Sequence, residues 1–146
     1  MRQLRSFFRL STTDKRLLIT SAALLGAIRL GLWLIPFHLL RRFLSKFNRE
    51  PRTASHIDDA VLSKIVWAMS VLGSRLPGSC LTQALATQLM FGRRGRATTL
   101  RIGVALTEEG EFRAHAWLET EGKIIIGGSE SRNRFSLLPP LKEEVR

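Results

Sequence analysis

The feature that most restricts the fold is a change of hydrophobic period at Gly92. Before it, apolar residues recur at helical spacing, first in Leu17, Leu18, Ala22, Leu25 and Ile28, then in Ile57, Val61, Ile65, Met69 and Leu72, then in Leu81, Ala84, Leu85 and Leu89. After the basic turn Arg93-Arg94-Gly95-Arg96 the pattern becomes β-like over residues 98–106, 111–120 and 123–126, with Glu121-Gly122 as a hairpin turn between the last two. Helices followed by strands predict an α+β fold: an N-terminal helical hairpin and further helices, then a small antiparallel sheet.

A chain of 146 residues is of one-domain size. Within it we read residues 1–50 as a basic helical hairpin, 55–130 as the core and 131–146, with Pro139-Pro140, as an irregular wrap or tail. Residues 48–54 form the visible linker.

The apolar run over residues 17–40 is long enough to span a bilayer. Arg29 sits at its middle, where a charge costs roughly 2.5–3.5 kcal/mol on insertion scales, and Pro36 interrupts its second half. Two packed amphipathic helices fit better. The first is capped by Thr12 or Thr13 with Asp14 in its opening turn; the second resumes near Arg29 and runs past Pro36 to Phe47. A surface that docks a membrane or a partner protein is the other use of this hairpin. No small-residue cleavage site follows the basic N-terminus, which argues against a secretory signal.

The formal net charge of +11 admits an acidic peptide, a nucleic acid or an anionic membrane surface as partner. Its distribution is uneven: residues 1–52 hold eleven Lys/Arg against two acids, the remainder twelve against ten. A single cysteine excludes an internal disulfide and a multi-cysteine zinc site, and points to a cytoplasmic setting with a thiol that is either reactive or simply buried.

Pro77-Gly78-Ser79 brings the chain sharply into a helix whose first turn holds Cys80. There, unpaired backbone amides and the positive end of the helix dipole favour thiolate, and the same amides, that of Cys80 included, suit an oxyanion. A thiolate nucleophile needs an imidazole on a rigid element. His115 lies at the centre of a predicted strand, whose alternation groups Arg113, His115, Trp117 and Glu119 on one face and Phe112, Ala114, Ala116 and Leu118 on the other. A helix on the first of these faces would bring Cys80 to His115. Taken singly, a lone cysteine also reads as a small core hydrophobe and a lone strand histidine as a structural residue.

In combination, Ser79-Cys80-Leu81 with Ala84-Leu85-Ala86 and Leu89, then Arg101-Ile102-Gly103-Val104, Ala114-His115-Ala116-Trp117-Leu118-Glu119 and Gly122-Lys123, resemble the lasso peptide biosynthesis B protein. More narrowly they resemble its free-standing, transglutaminase-like leader peptidase of split systems. Residues 34–37 (Leu-Ile-Pro-Phe) extend the similarity into the hairpin.

The resemblance implies a papain-like or transglutaminase-like cysteine protease core over residues 55–130, with Cys80 as nucleophile and His115 as base. It implies a substrate, the lasso precursor peptide cut at its leader/core junction, and two protein partners: a separate leader-recognition protein and an ATP-dependent lasso cyclase. The family commonly places an Asp about a dozen positions after the histidine, whereas here that stretch is Ile126-Gly127-Gly128-Ser129-Glu130 and no Asp follows Asp59.

If Thr120 pairs with Lys123, His115 falls opposite Gly128 and Glu130 becomes a diagonal neighbour, roughly 7–8 Å between positions. Glu130 is therefore the candidate third residue, with Glu119 as substitute; either also reads as a solvated charge. Arg93 and Arg94, with Arg96 and Arg101, form a basic cluster suited to acidic residues of a leader, and Trp117 either walls the cleft or fills core.

Nothing in the sequence calls for a metal, a phosphate-binding loop or another cofactor. The competing class is a non-catalytic accessory protein that uses the basic N-terminal third on a membrane or nucleic acid; the catalytic reading has no nucleic-acid partner. An acyl transferase, in which an amine resolves the thioester, shares the same chemistry.

Overall fold

The computed structural model describes residues 11–46, 59–76, 80–128 and 135–137. Four helices precede four strands in it: α1 (Thr12–Leu34), α2 (Phe37–Ser45), α3 (Asp59–Gly73), α4 (Cys80–Gly92), β1 (Thr99–Leu106), β2 (Phe112–Thr120), β3 (Lys123–Ile126) and β4 (Ser136–Leu137). The fold is α+β, as the change of period predicts.

The helix boundaries differ from the expected ones in two places. The cap of α1 is Ser11, whose hydroxyl accepts from the Thr13 amide at 3.3 Å; Thr12 and Thr13 are already helical. The helix also runs through Arg29 without a break and stops at Ile35, seven or so residues later than expected. Pro36 is the cause, because its ring disfavours helical backbone at the preceding residue, and Ile35 is accordingly extended at φ −127°, ψ 135°. Pro36 then opens α2, where its missing N–H costs nothing. The helix start expected at Ser55 lies outside the described residues.

The two N-terminal helices are not an appendage. Leu18, Ser21, Leu25 and Ile28 recur along one side of α1, which packs on α3 and α4. Leu25, Ile28 and Leu40 share one apolar cluster with Leu62, Ile65 and Met69 of α3 and with Leu85, Met90 and Phe91 of α4. Lys64 of α3 pairs with Asp14 of α1 at 2.9 Å, closing the outer end of this contact. By length and composition α1 is also the one helix among the described residues that could cross a membrane.

The strands form an antiparallel sheet in the order β3-β2-β1-β4. Ser136 and Leu137 therefore belong to the sheet, with β4 pairing Gly103 and Val104, where the sequence suggested an irregular tail. Glu121 and Gly122 both take positive φ, 48° and 76°, as a two-residue hairpin turn of this twist requires. Thr120 pairs with Lys123 as expected, but a bulge between Leu118 and Glu119 shifts the ladder by one residue, so Leu118 faces Ile126 and the pairing ends there.

Pleating divides the sheet into two chemically distinct faces. Leu100, Ile102, Ala116, Leu118 and Ile126 enter the cluster with α4. The expectation that α4 lies on the His115 face is thus corrected: the helix covers the opposite face, because that is the uncharged one, while Arg101, Arg113 and Glu119 occupy the face of His115.

The second face has its own small core. Trp117 is fully buried, its ring lying across Gly103, and its indole N–H donates to the Glu119 carboxylate at 2.9 Å; Arg101 approaches the other carboxylate oxygen at 3.6 Å. A Cβ on Gly103 would stand 2.7 Å from the Phe135 Cβ and 2.9 Å from the Trp117 ring, so only glycine lets both rings close over β1.

Two outcomes follow for stability. Gly103→Ala is expected to lower the unfolding free energy by about 1–3 kcal/mol through overpacking, read from urea denaturation. Glu119→Ala, which strands a buried indole N–H, is expected to lose about 1–3 kcal/mol, with Glu119→Gln losing less because it retains the acceptor; equal melting of the two variants would show that the indole bond is unimportant.

Candidate active site

Cys80 is the first residue of α4, so its amide has no partner within the helix and points out of the N-terminal end with those of the next residues. The thiol is half-buried and packs against the main apolar cluster. α4 holds this position because Ala84, Leu85, Ala86, Leu89, Met90 and Phe91 are all buried, which makes it the most enclosed helix of the four. The helix start is therefore anchored by the whole core behind it.

His115 sits in the middle of β2, paired across the sheet with Gly103. Its ring is held from three directions. Phe135 stacks on it with centroids 5.0 Å apart and planes 26° from parallel, Trp117 lies beside it at 6.3 Å and 24°, and Nε2 lies 2.7 Å from the Gly127 carbonyl oxygen. A carbonyl only accepts, so Nε2 carries the proton in this bond. In the neutral ring the lone pair is then on Nδ1, which is the nitrogen able to take a proton from a thiol.

Gly127 reaches β2 only because it is glycine. Its φ is +105°, and a Cβ there would lie 2.5 Å from the Trp117 Cβ and 3.0 Å from the Ala116 carbonyl. The carbonyl lies 12 residues after the histidine, at the place in the sequence where an Asp was sought. Sequence reasoning noted the Gly127-Gly128 pair and passed over it. The pair was the available signal, since two successive glycines after a strand mark an unusual backbone path, but a carbonyl acceptor has no residue-type signature.

The remaining candidates are placed as follows. The Glu119 carboxylate is on the His115 face, where it holds Trp117 and Arg101; among the described residues it makes no hydrogen bond to the His115 ring. Glu130 lies outside the described residues. Trp117 is core of the second face and a neighbour of the His115 ring.

Arg93 and Arg94 follow the C-terminal end of α4, which at 1.5 Å per residue is about 18 Å from Cys80. Arg94 donates to the Met90 carbonyl at 3.1 Å, a cation on the negative helix end. Arg96 pairs with Glu121 at 3.2 Å.

Between the two central candidates, α4 packs on β2, yet the thiol belongs to the side of Ala116 and the imidazole to the side of Gly103. Among the described residues no hydrogen bond joins them. Chemically, the arrangement offers a thiol at the N-terminal end of a helix, and an imidazole whose Nε2 is committed to a carbonyl, leaving Nδ1 without a hydrogen-bond partner among the described residues.

Searches of curated proteins and of solved structures returned no match. A family model described as the transglutaminase-like superfamily matches residues 22–139, a stretch that includes the C-terminal part of α1, α2 to α4, all four strands, Cys80 and His115. The chain belongs to the transglutaminase-like superfamily, which includes cysteine peptidases and acyltransferases.

Proposed function

We propose that this protein is a cytoplasmic cysteine peptidase that removes the leader from a ribosomally made lasso peptide precursor. The observation that supports the chemistry is that one domain holds Cys80 at the start of α4 and, on the strand that α4 packs against, a His115 whose Nε2 is committed to the Gly127 carbonyl. The substrate assignment rests on the resemblance of the Cys80 helix and the His115 strand to leader peptidases. A separate recognition protein presents the leader, and an ATP-dependent cyclase takes the new amino terminus.

In the first half-reaction Nδ1 of His115 takes the thiol proton and Sγ of Cys80 adds to the carbonyl carbon at the leader/core junction. The oxyanion meets the amides at the start of α4. Its collapse breaks the C–N bond, and the imidazolium returns its proton to the departing amine, leaving the leader as a thioester on Cys80. Water then adds with Nδ1 as base, and the C–S bond breaks to release a carboxylate. Because the thiol lies on the Ala116 side of β2 and the ring on the Gly103 side, this step requires a rearrangement that brings Sγ and Nδ1 within hydrogen-bond reach. An acyl transferase would differ only in using an amine where water adds.

Mass spectrometry of precursor cleavage, with the recognition protein present, tests the reading. Cys80→Ala is expected to abolish cleavage, and His115→Ala to reduce it by about 100-fold or more; cleavage that survives Cys80→Ala would sink the mechanism. The product separates the two second steps, since hydrolysis leaves a free leader carboxylate and transfer leaves an amide.

The tautomer is tested without substrate. Nitrogen NMR of histidine-labelled protein with the ring neutral is expected to show His115 protonated on Nε2, and a proton on Nδ1 would remove the base from the scheme.

A further inference from the structure

The outer surface of α1 is the largest feature that catalysis leaves unexplained. A helix on the outside of a water-soluble domain normally turns a charged face to solvent. Here only 22 % of the most apolar stretch of α1 is buried, and from residue 17 to residue 34 its single charge is Arg29. Ile19, Leu30 and Leu34 are exposed on the side away from the core, and Trp33 is 82 % exposed. Beyond Pro36, Leu39 and Phe43 of α2 are exposed as well.

The charge around this surface is predominantly positive. Lys15 and Arg16 stand at the start of α1, Arg41, Arg42 and Lys46 on and after α2, and the only acid in residues 11–46 is Asp14, which is paired with Lys64. Adjoining sequence adds Arg2, Arg5 and Arg9 before it and Arg49, Glu50 and Arg52 after it, a net of four further positive charges.

A membrane-spanning role conflicts with the packing. Leu18, Ser21, Leu25 and Ile28 commit one side of α1 to α3 and α4, so lipid cannot surround the helix. A specific protein partner would be held in register by directional hydrogen bonds, of the order of ten in a typical interface. Over the exposed side of α1 from residue 17 to residue 34 the polar side-chain groups are those of Thr20, Arg29 and the Trp33 indole. A surface so apolar, so poor in directional groups and bounded by cations complements a fluid phase with an apolar interior and an anionic boundary.

We propose that the outer face of α1 and α2 docks the protein on an anionic lipid bilayer surface. In this geometry Leu30, Leu34 and Phe43 enter the acyl boundary, Trp33 sits at headgroup depth, and the arginines and lysines meet lipid phosphates. The helix lies in the plane of the interface with its core side turned to water, so α3, α4 and the sheet stay outside the bilayer.

The test is co-sedimentation of the full chain with vesicles of phosphatidylcholine alone and with about one third phosphatidylglycerol, at low and high salt. Expected are binding to the anionic vesicles, at least about tenfold weaker binding to neutral ones or at high salt, and loss of binding in Trp33→Glu and in Leu30→Glu. Circular dichroism and the melting temperature establish that each variant is folded; because both residues are exposed, one folded variant suffices.

Three results would overturn the proposal. Folded wild type could fail to sediment with anionic vesicles, or the folded variants could bind as wild type does. Light scattering could instead show a wild-type dimer that Trp33→Glu dissolves, which would assign the face to a second copy. No outcome depends on cleavage, so the proposal stands or falls apart from the peptidase reading.

Discussion

The two-residue period of β2 is the constraint on which the rest of this structure depends. It sends Ala116 and Leu118 to one side and His115, Trp117 and Glu119 to the other, and the chain must bury both sets. The apolar set takes α4 and, behind it, α3 and α1. The mixed set cannot accept a helix of leucines, because Arg101 and Glu119 would lose water without compensation. It is closed instead by Trp117 lying across Gly103 and by Phe135 beside β4. One strand thus supports two cores, a large one made by helices and a small one made by two aromatic rings and a buried carboxylate.

His115 belongs to the small core, and this determines its chemistry. Its ring is sandwiched by aromatic neighbours and tied through Nε2 to a backbone carbonyl. A carbonyl orients an imidazole and selects its tautomer as a carboxylate does, but it brings no full negative charge to stabilise the imidazolium. The orientation of this ring therefore rests on position more than on charge. Position in turn depends on Gly127, whose left-handed backbone and missing Cβ let the end of β3 pass close to Trp117.

The N-terminal helices join these parts to the outside. One side of α1 completes the main core, and the other carries an apolar surface next to a concentration of positive charge. Among the described residues the protein covers one side of this largely apolar helix and leaves the other exposed. The packing of the main core and the apolar outer face are consequently written into the same 23 residues.

Much of this was legible in the sequence. The change of period at Gly92 fixed the α+β class, glycines and turns located the last two helix ends and the β2–β3 hairpin, and Cys80 at a helix start and His115 at mid-strand were readable from local pattern. These are short-range properties, set by backbone sterics and side-chain spacing within a few residues. What only the tertiary structure decided was which face of β2 receives α4, the one-residue bulge at Leu118, the recruitment of Ser136 and Leu137 into the sheet, and the Gly127 carbonyl as partner of His115. Each depends on which distant surfaces exclude water together, or on a backbone atom that every residue possesses, and neither leaves a mark in the order of residue types.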